Sequence, residues 1–269
     1  MRLIPLALLS VLLVGAPCLA QTGNEKLPQE FAAMRSALCD KPADFVETGC
    51  KVCPKFMAEA HEGVPLRGGL GVYSILFGSF TSVGQTEALL NSGGCFSHAE
   101  GFASAFLLRK EQGSWRRLSY FHNDGPMGLC QKIPGQGDKR DLLICNYADY
   151  GAGAISLIVF DTYGKTKTDT GLVQTWLYQG WRSVEKQEHC STADAKIKKV
   201  SFDSIEISIY FNSFDVDPPI NCFDESEGTT SKISNAKKVE DVAVFTRNGD
   251  EFAPDERTQK LLSEIEKNH

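Results

Sequence analysis

The chain has 269 residues, enough for a sizeable core in one or two domains, and its 34 Asp and Glu outweigh 28 Lys and Arg for a net charge of −6. A mildly acidic surface argues against nucleic acid or an anionic membrane as the main partner. Nine cysteines point to disulfides, and so to an oxidising compartment.

The sequence opens on Met1-Arg2-Leu3, runs apolar from Ile4 to Val14 and reaches Cys18-Leu19-Ala20 before Gln21. One positive residue, a short apolar run and a small-x-small ending predict a secretory signal peptide cleaved after Ala20. Nothing later in the chain is long and apolar enough to span a bilayer. The mature chain is therefore expected to be secreted or periplasmic, without a membrane span. Losing residues 1–20 removes Arg2 and Cys18, which leaves 249 residues, a net charge of −7 and eight cysteines. An even count in an exported chain predicts four disulfides.

Residues 21–65 read as an N-terminal helix followed by a Cys-containing loop. Phe31, Met34 and Leu38 fall at helical spacing between Pro28 and Cys39, and Pro28 and Glu30 suit a helix start. Cys50-Lys-Val-Cys53 follows. Its spacing is that of a redox dithiol, but no βαβ context surrounds it, so structural pairing is the simpler reading.

Residues 66–269 change in texture to short alternating or apolar runs separated by Gly, Asn, Asp and Ser. Strands are predicted over 72–80, 86–91, 102–109, 115–122, 128–133, 141–147, 155–161, 172–178, 197–202, 205–212 and 239–246. The turn spacing and the Val, Ile, Phe and Tyr content predict antiparallel sheet. Lys196, Lys198, Lys199, Lys237 and Lys238 read as solvated strand edges. A terminal helix over 256–267 carries the stripe Leu261, Leu262 and Ile265, with Asp255 as N-cap.

A worn repeat runs through this region. Glu87-Ala-Leu-Leu90 and Asp141-Leu-Leu-Ile144 lie 54 positions apart, as do Phe106 and Phe160. A third copy begins at Ile205 and resumes at Val242 after an insertion that holds Cys222. The run from Asp138 to Tyr147, followed by Gly153 to Phe160, resembles an FG-GAP or VCBS-type β-propeller repeat. The resemblance covers roughly residues 72–250. It implies blade-like antiparallel sheet and the extracellular adhesion or carbohydrate-related roles common in that family. Only Asp138 and Asp141 remain of the family's acidic calcium loop, so calcium is not carried over to these positions. Three copies are few for a closed ring. The expected fold is therefore mainly β, with blade-like repeats forming a partial β-propeller or a twisted β-sandwich between short N- and C-terminal helices.

Cys130 and Cys145 lie symmetrically about the turn 135–138 and are expected to bridge across a hairpin. A bond from Cys95 to one of them is the competing scheme. Cys190 and Cys222 flank strands of the third copy and are paired on that ground. Cys39 is assigned to Cys50 or Cys53, with Cys53 preferred.

Few residues carry chemistry. His98 and His122 have Glu100 and Asp124 close by, and they offer nitrogen and carboxylate ligands if their strands are adjacent, although two polar loop histidines are the plainer reading. Asp215, Asp217 and Asp224 concentrate carboxylates that suit calcium. Tyr178 and Trp181 beside Gly180 are candidates for an exposed binding surface. No Gly-x-Ser-x-Gly elbow occurs, and Gly68-Gly69-Leu70-Gly71 precedes a strand and not a helix, so neither a serine hydrolase nor a phosphate loop is indicated. The favoured function is a non-catalytic binding or structural module for an extracellular protein or carbohydrate. The alternative is an extracellular hydrolase whose carboxylates the fold brings together.

Overall fold

A computed structural model of the chain describes residues 29–60, 66–95, 104–122, 127–149, 152–176, 187–220, 222 and 232–267. The signal-peptide segment, His98, Tyr178, Trp181 and Asp224 lie outside the described residues.

The expected first helix winds as a 3₁₀ turn over Gln29–Met34 and continues as α1 (Arg35–Leu38), with Phe31, Met34 and Leu38 buried. The small hairpin β1 (Phe45–Val46) and β2 (Gly49–Cys50) and the short helix α2 (Lys55–Ala60) follow. Then come β3 (Arg67–Gly78), β4 (Glu87–Cys95), β5 (Ser104–Glu111) and β6 (Ser114–His122). These strands form one antiparallel six-stranded sheet in the order β1 to β6.

The second sheet has eight antiparallel strands, each beside its sequence neighbour. They are β7 (Met127–Ile133), β8 (Leu142–Asp149), β9 (Ala152–Phe160), β10 (Thr166–Trp176), β11 (Gln187–Val200), β12 (Ser204–Ile220), β13 (Lys232–Asn248) and β14 (Glu251–Pro254). The chain ends in α3 (Glu256–Lys267), capped by Asp255, whose Oδ1 accepts the Thr258 N–H at 2.7 Å. The protein is thus mainly β, with one curled, half-barrel sheet and short helices at both ends. No described helix is long and apolar enough to cross a membrane.

Strand alternation sorts the core into three layers. On β4 and β5, Leu90, Phe106 and Leu108 face the N-terminal helices, while Leu89, Ala105 and Leu107 face the second sheet. On β8 and β9, Leu143, Ile158 and Phe160 meet them, and Ile144, Leu157 and Val159 turn into the half-barrel. The interior is filled by Ile205, Ile207, Ile209 and Phe211 of β12 and by Leu261 and Ile265 of α3. β7 comes near β11, and among the described residues β10 and β11 pair only at Trp176↔Ala193. The sheet therefore curls and splits at that seam.

The tight turns gather at one end, where side chains tie the sheets together. Glu87, fully buried, accepts the Thr81 N–H at 2.9 Å and the Arg109 Nε–H at 2.9 Å, and Arg109 Nη2 donates across to the Thr162 carbonyl at 3.0 Å. Asp141 accepts the N–H groups of Gly135 at 2.7 Å and Ser79 at 2.9 Å. Glu87 and Asp141 thus cap turns six residues back in the same manner, and Asp141 serves as a turn cap. The 54-residue spacing does not preserve the facing of the aromatic residues: Phe106 packs under the helices and Phe160 between the sheets. Gly164, at φ +81°, lies where a Cβ would come 2.9 Å from Leu118 of the opposite sheet, so this turn has no room for a side chain.

Several strands exceed their predicted limits. β10 begins at Thr166 and not Leu172, β11 at Gln187 and not Ile197, and β13 at Lys232 and not Val239. β12 runs past Asn212 to Ile220. Threonines, lysines and serines on their exposed faces mask the two-residue period in the sequence.

Cys130–Cys145 and Cys190–Cys222 are disulfides. Cys39 is bonded to Cys50 and not to Cys53, because the β1–β2 hairpin returns Cys50 beneath α1, at a Cα–Cα distance of 5.7 Å. Cys53 lies further on and is bonded to Cys95, which stands opposite Arg67 in the β3–β4 ladder. The redox reading of Cys50 and Cys53 therefore fails, since each has a different partner.

Candidate functional site

At the end of the half-barrel opposite the tight turns, the interior changes from apolar to polar. Along β11, β12 and β13 the paired rows on the inner face run from Ala193, Phe211 and Val239 to Ser191, Ser213 and Lys237, and then to His189, Asp215 and Ser234. Phe211 is fully buried, and Ser191 and Ser213 are buried as well. His189 and Asp215 form the rim, with side chains 38% and 40% exposed.

Two breaks in the ladder build this rim. Pro218 and Pro219 have no backbone N–H to give a neighbouring strand. The β11–β12 register accordingly jumps from His189↔Asp215 to Gln187↔Ile220, and residues 216–219 bulge away from β11. On β13 the register shifts between Lys237 and Ser234, opposite Ser213 and Asp215. Asn235 occupies that shift at φ +50°, a left-handed conformation that Asn tolerates better than most residues. The disulfide Cys190–Cys222, packed with Val216, Ile220 and Phe214 on the outer face, fastens the bulged segment to β11.

The result is a hydrogen-bonded trio. His189 Nδ1 lies 2.6 Å from Asp215 Oδ1, and Asn235 Nδ2 donates to Asp215 Oδ2 at 2.7 Å. The His189 contact, and after it the Asn235 amide, hold the Asp215 carboxyl below its ordinary range. With Nδ1–H given to the carboxylate, a neutral imidazole carries its lone pair on Nε2. One row deeper, Lys237 Nζ is 2.7 Å from Glu264 Oε1 of α3. The rim therefore offers oriented donors and acceptors on a rigid frame.

The other sequence candidates are dispersed. Asp217 is exposed and pairs in register with Lys232, not with Asp215. His122 ends β6, opposite Ser104, in the other sheet. Among the described residues no three His, Cys, Asp or Glu side chains converge to hold a metal ion, and both Asp215 oxygens are engaged by His189 and Asn235. Trp115 is buried beside Phe77. A shallow groove of about 360 Å³ on the outer face of β11–β13 is lined by Asp194, Lys196, Tyr210 and Glu240. Its charges are matched internally, Lys196 with Asp194 at 3.9 Å and Lys238 with Glu240 at 3.5 Å.

His189 and Asn235 carry no site signal of their own in the sequence. They stand 26 and 20 residues from Asp215, and a register set by two prolines and a left-handed asparagine brings the three together. The Pro218-Pro219 pair, a bulge marker, is the one local sign of that break. No known protein-family model and no curated protein matches the chain.

Proposed function

We propose that the chain is an exported binding module, secreted or periplasmic, that captures a polar extracellular ligand at the end of the half-barrel opposite the tight turns. The observation that carries this reading is the His189–Asp215–Asn235 trio, oriented at the rim above a buried polar row. Barrel mouths with a few fixed polar groups are common ligand sites, and function gathers where a rigid scaffold positions its connections. Four disulfide-bonded pairs support an oxidising compartment. The ligand class we favour is carbohydrate. Imidazole, carboxylate and amide groups match sugar hydroxyls. The likeness of the β8–β9 region to an FG-GAP repeat fits a module of this kind.

A hydrolase is the second reading, favoured by the His189–Asp215 hydrogen bond, which orients an imidazole as a general base requires. Ser234 is in register with Asp215 and exposed, whereas Ser191 and Ser213, one row deeper, are buried, which disfavours those two as nucleophiles. A panel of neutral, acidic and amino-sugar oligosaccharides separates the two. Saturable binding without product, lost in His189→Ala, supports the module. Turnover abolished by the same substitution supports the hydrolase.

A further inference from the structure

The opposite end of the half-barrel holds a second feature that the proposed function does not use. Arg247, near the end of β13, has a side chain only 5% exposed. Its Nε donates to the Gly249 carbonyl at 2.8 Å, and its guanidinium carbon sits 4.4 Å from the centre of the Phe202 ring. The terminal nitrogens Nη1 and Nη2 are buried without a hydrogen-bond acceptor. Asp250 Oδ1 is 3.9 Å from Nη2, beyond hydrogen-bonding distance.

Asp250, the carboxylate paired with Arg247, is already engaged. Asp250 Oδ2 accepts from Arg140 Nη2 at 2.9 Å. Arg140 is itself only 13% exposed, and its Nη1 is directed at the carbonyls of Thr81 and Phe160. Two enclosed guanidiniums thus share one carboxylate, while Asp203, in the β11–β12 turn, is exposed. Burial presses against the charge on Arg247 more than Asp250 and Asp203 support it, and Arg140 adds a smaller opposition. A desolvated guanidinium with two unmet donors is costly to keep, and a planar fork of two N–H groups matches an oxyanion better than any neutral partner.

We propose that Arg247, with Arg140 beside it, forms a binding site for a small oxyanion at the turn end of the half-barrel. Two oxygens of a phosphate, sulfate or carboxylate group accept from Nη1 and Nη2 of Arg247. Phe202, which stacks on the guanidinium from the turn 201–203, moves aside to admit the group. Arg140 supplies the second positive charge, and its bond to Asp250 fixes its position.

The test uses the full disulfide-bonded chain at constant ionic strength, with chloride as the reference anion. Sodium phosphate, sulfate and acetate are titrated separately while the Arg247 Nε–Hε signal is followed by ¹H–¹⁵N NMR. A saturable shift is expected with at least one of them. Response to phosphate and sulfate alone assigns a tetrahedral dianion, and an equal response to acetate assigns a carboxylate. Arg247→Lys, which keeps the charge but loses the fork, should weaken binding about tenfold or more, read from the melting temperature against anion concentration. Phe202→Ala removes the cover without touching the donors and should bind at least as tightly as the natural chain. No saturable response to any anion in either the natural chain or Phe202→Ala overturns the proposal, as does binding that Arg247→Lys leaves unchanged.

Discussion

Replacing Cys190 and Cys222 together by alanine should weaken the whole protein and loosen the His189–Asp215 rim most. The bond closes a sequence separation of 32 residues. The chain-entropy relation for a loop of that length gives about 4 kcal/mol of lost stability at 25 °C, a large share of the ~5–15 kcal/mol typical of a folded domain. Cys190 is fully buried against Val216 and Ile220, so the loss of packing acts in the same direction. Urea unfolding of the natural chain and of Cys190→Ala/Cys222→Ala under non-reducing conditions measures the global term. Amide hydrogen exchange measures the local one: protection at His189 and Asp215 should fall by more than protection at Leu89 and Leu107, which lie in the other sheet. A loss below about 1 kcal/mol together with unchanged exchange at His189 would refute the claim that this bond holds the bulged segment in place.

Three further outcomes follow from the packing. Glu87→Gln leaves Arg109, only 14% exposed, with Glu111 at 4.0 Å in place of its close partner and should cost about 3–5 kcal/mol in urea unfolding, whereas Glu87→Gln combined with Arg109→Met should cost much less than the two single changes added together. Strict additivity would show that the pair is not coupled. Tyr120, packed against Phe106 and Phe56, is pushed up to about 12 by burial from an ordinary value of 10.0, so the stability it confers is complete below pH 10 and is lost as pH rises from 10 towards 12. Titration at 295 nm should show a late tyrosine that is lost in Tyr120→Phe. Asp215, Asp241 and Asp255 are held below the ordinary carboxylate range, first by His189, Arg257 and Thr258 respectively. Their contribution is therefore present above about pH 4 and disappears as pH falls through the lowered folded values. Melting temperatures should drop steeply over that interval, and less steeply in Asp215→Asn. A flat profile would contradict the assignments.

The sequence carried the strand content and the capped terminal helix in full view, because alternation at Ile205, Ile207 and Ile209 and the Asp255 cap are local signals. The Cys130–Cys145 bridge was legible from symmetry about a turn, since the two residues stand directly opposite in the β7–β8 ladder. The Cys39 and Cys53 partners were not, because their pairing depends on a two-residue hairpin and on where Cys95 falls in a distant strand. Asp215 drew attention as one of a group of acids. Its actual neighbours, His189 and Asn235, come from two other strands through register breaks that no spacing rule registers. The stacking of one sheet on the other was equally hidden. Leu89 and Leu143 read as ordinary strand residues until the layers between which they lie are known.

The central claim is that the His189–Asp215–Asn235 rim of the half-barrel is the ligand site. ¹H–¹⁵N and ¹H–¹³C spectra of the full disulfide-bonded chain, recorded during titration with the oligosaccharide panel, address it directly. Binding at the rim predicts that signals of His189, Asp215 and Asn235 move first and saturably, and that Asp215→Ala abolishes the effect while the remaining spectrum stays folded. Saturable binding that leaves those three residues unmoved and shifts Tyr210 and Glu240 on the outer face, or no binding by any member of the panel, would contradict it.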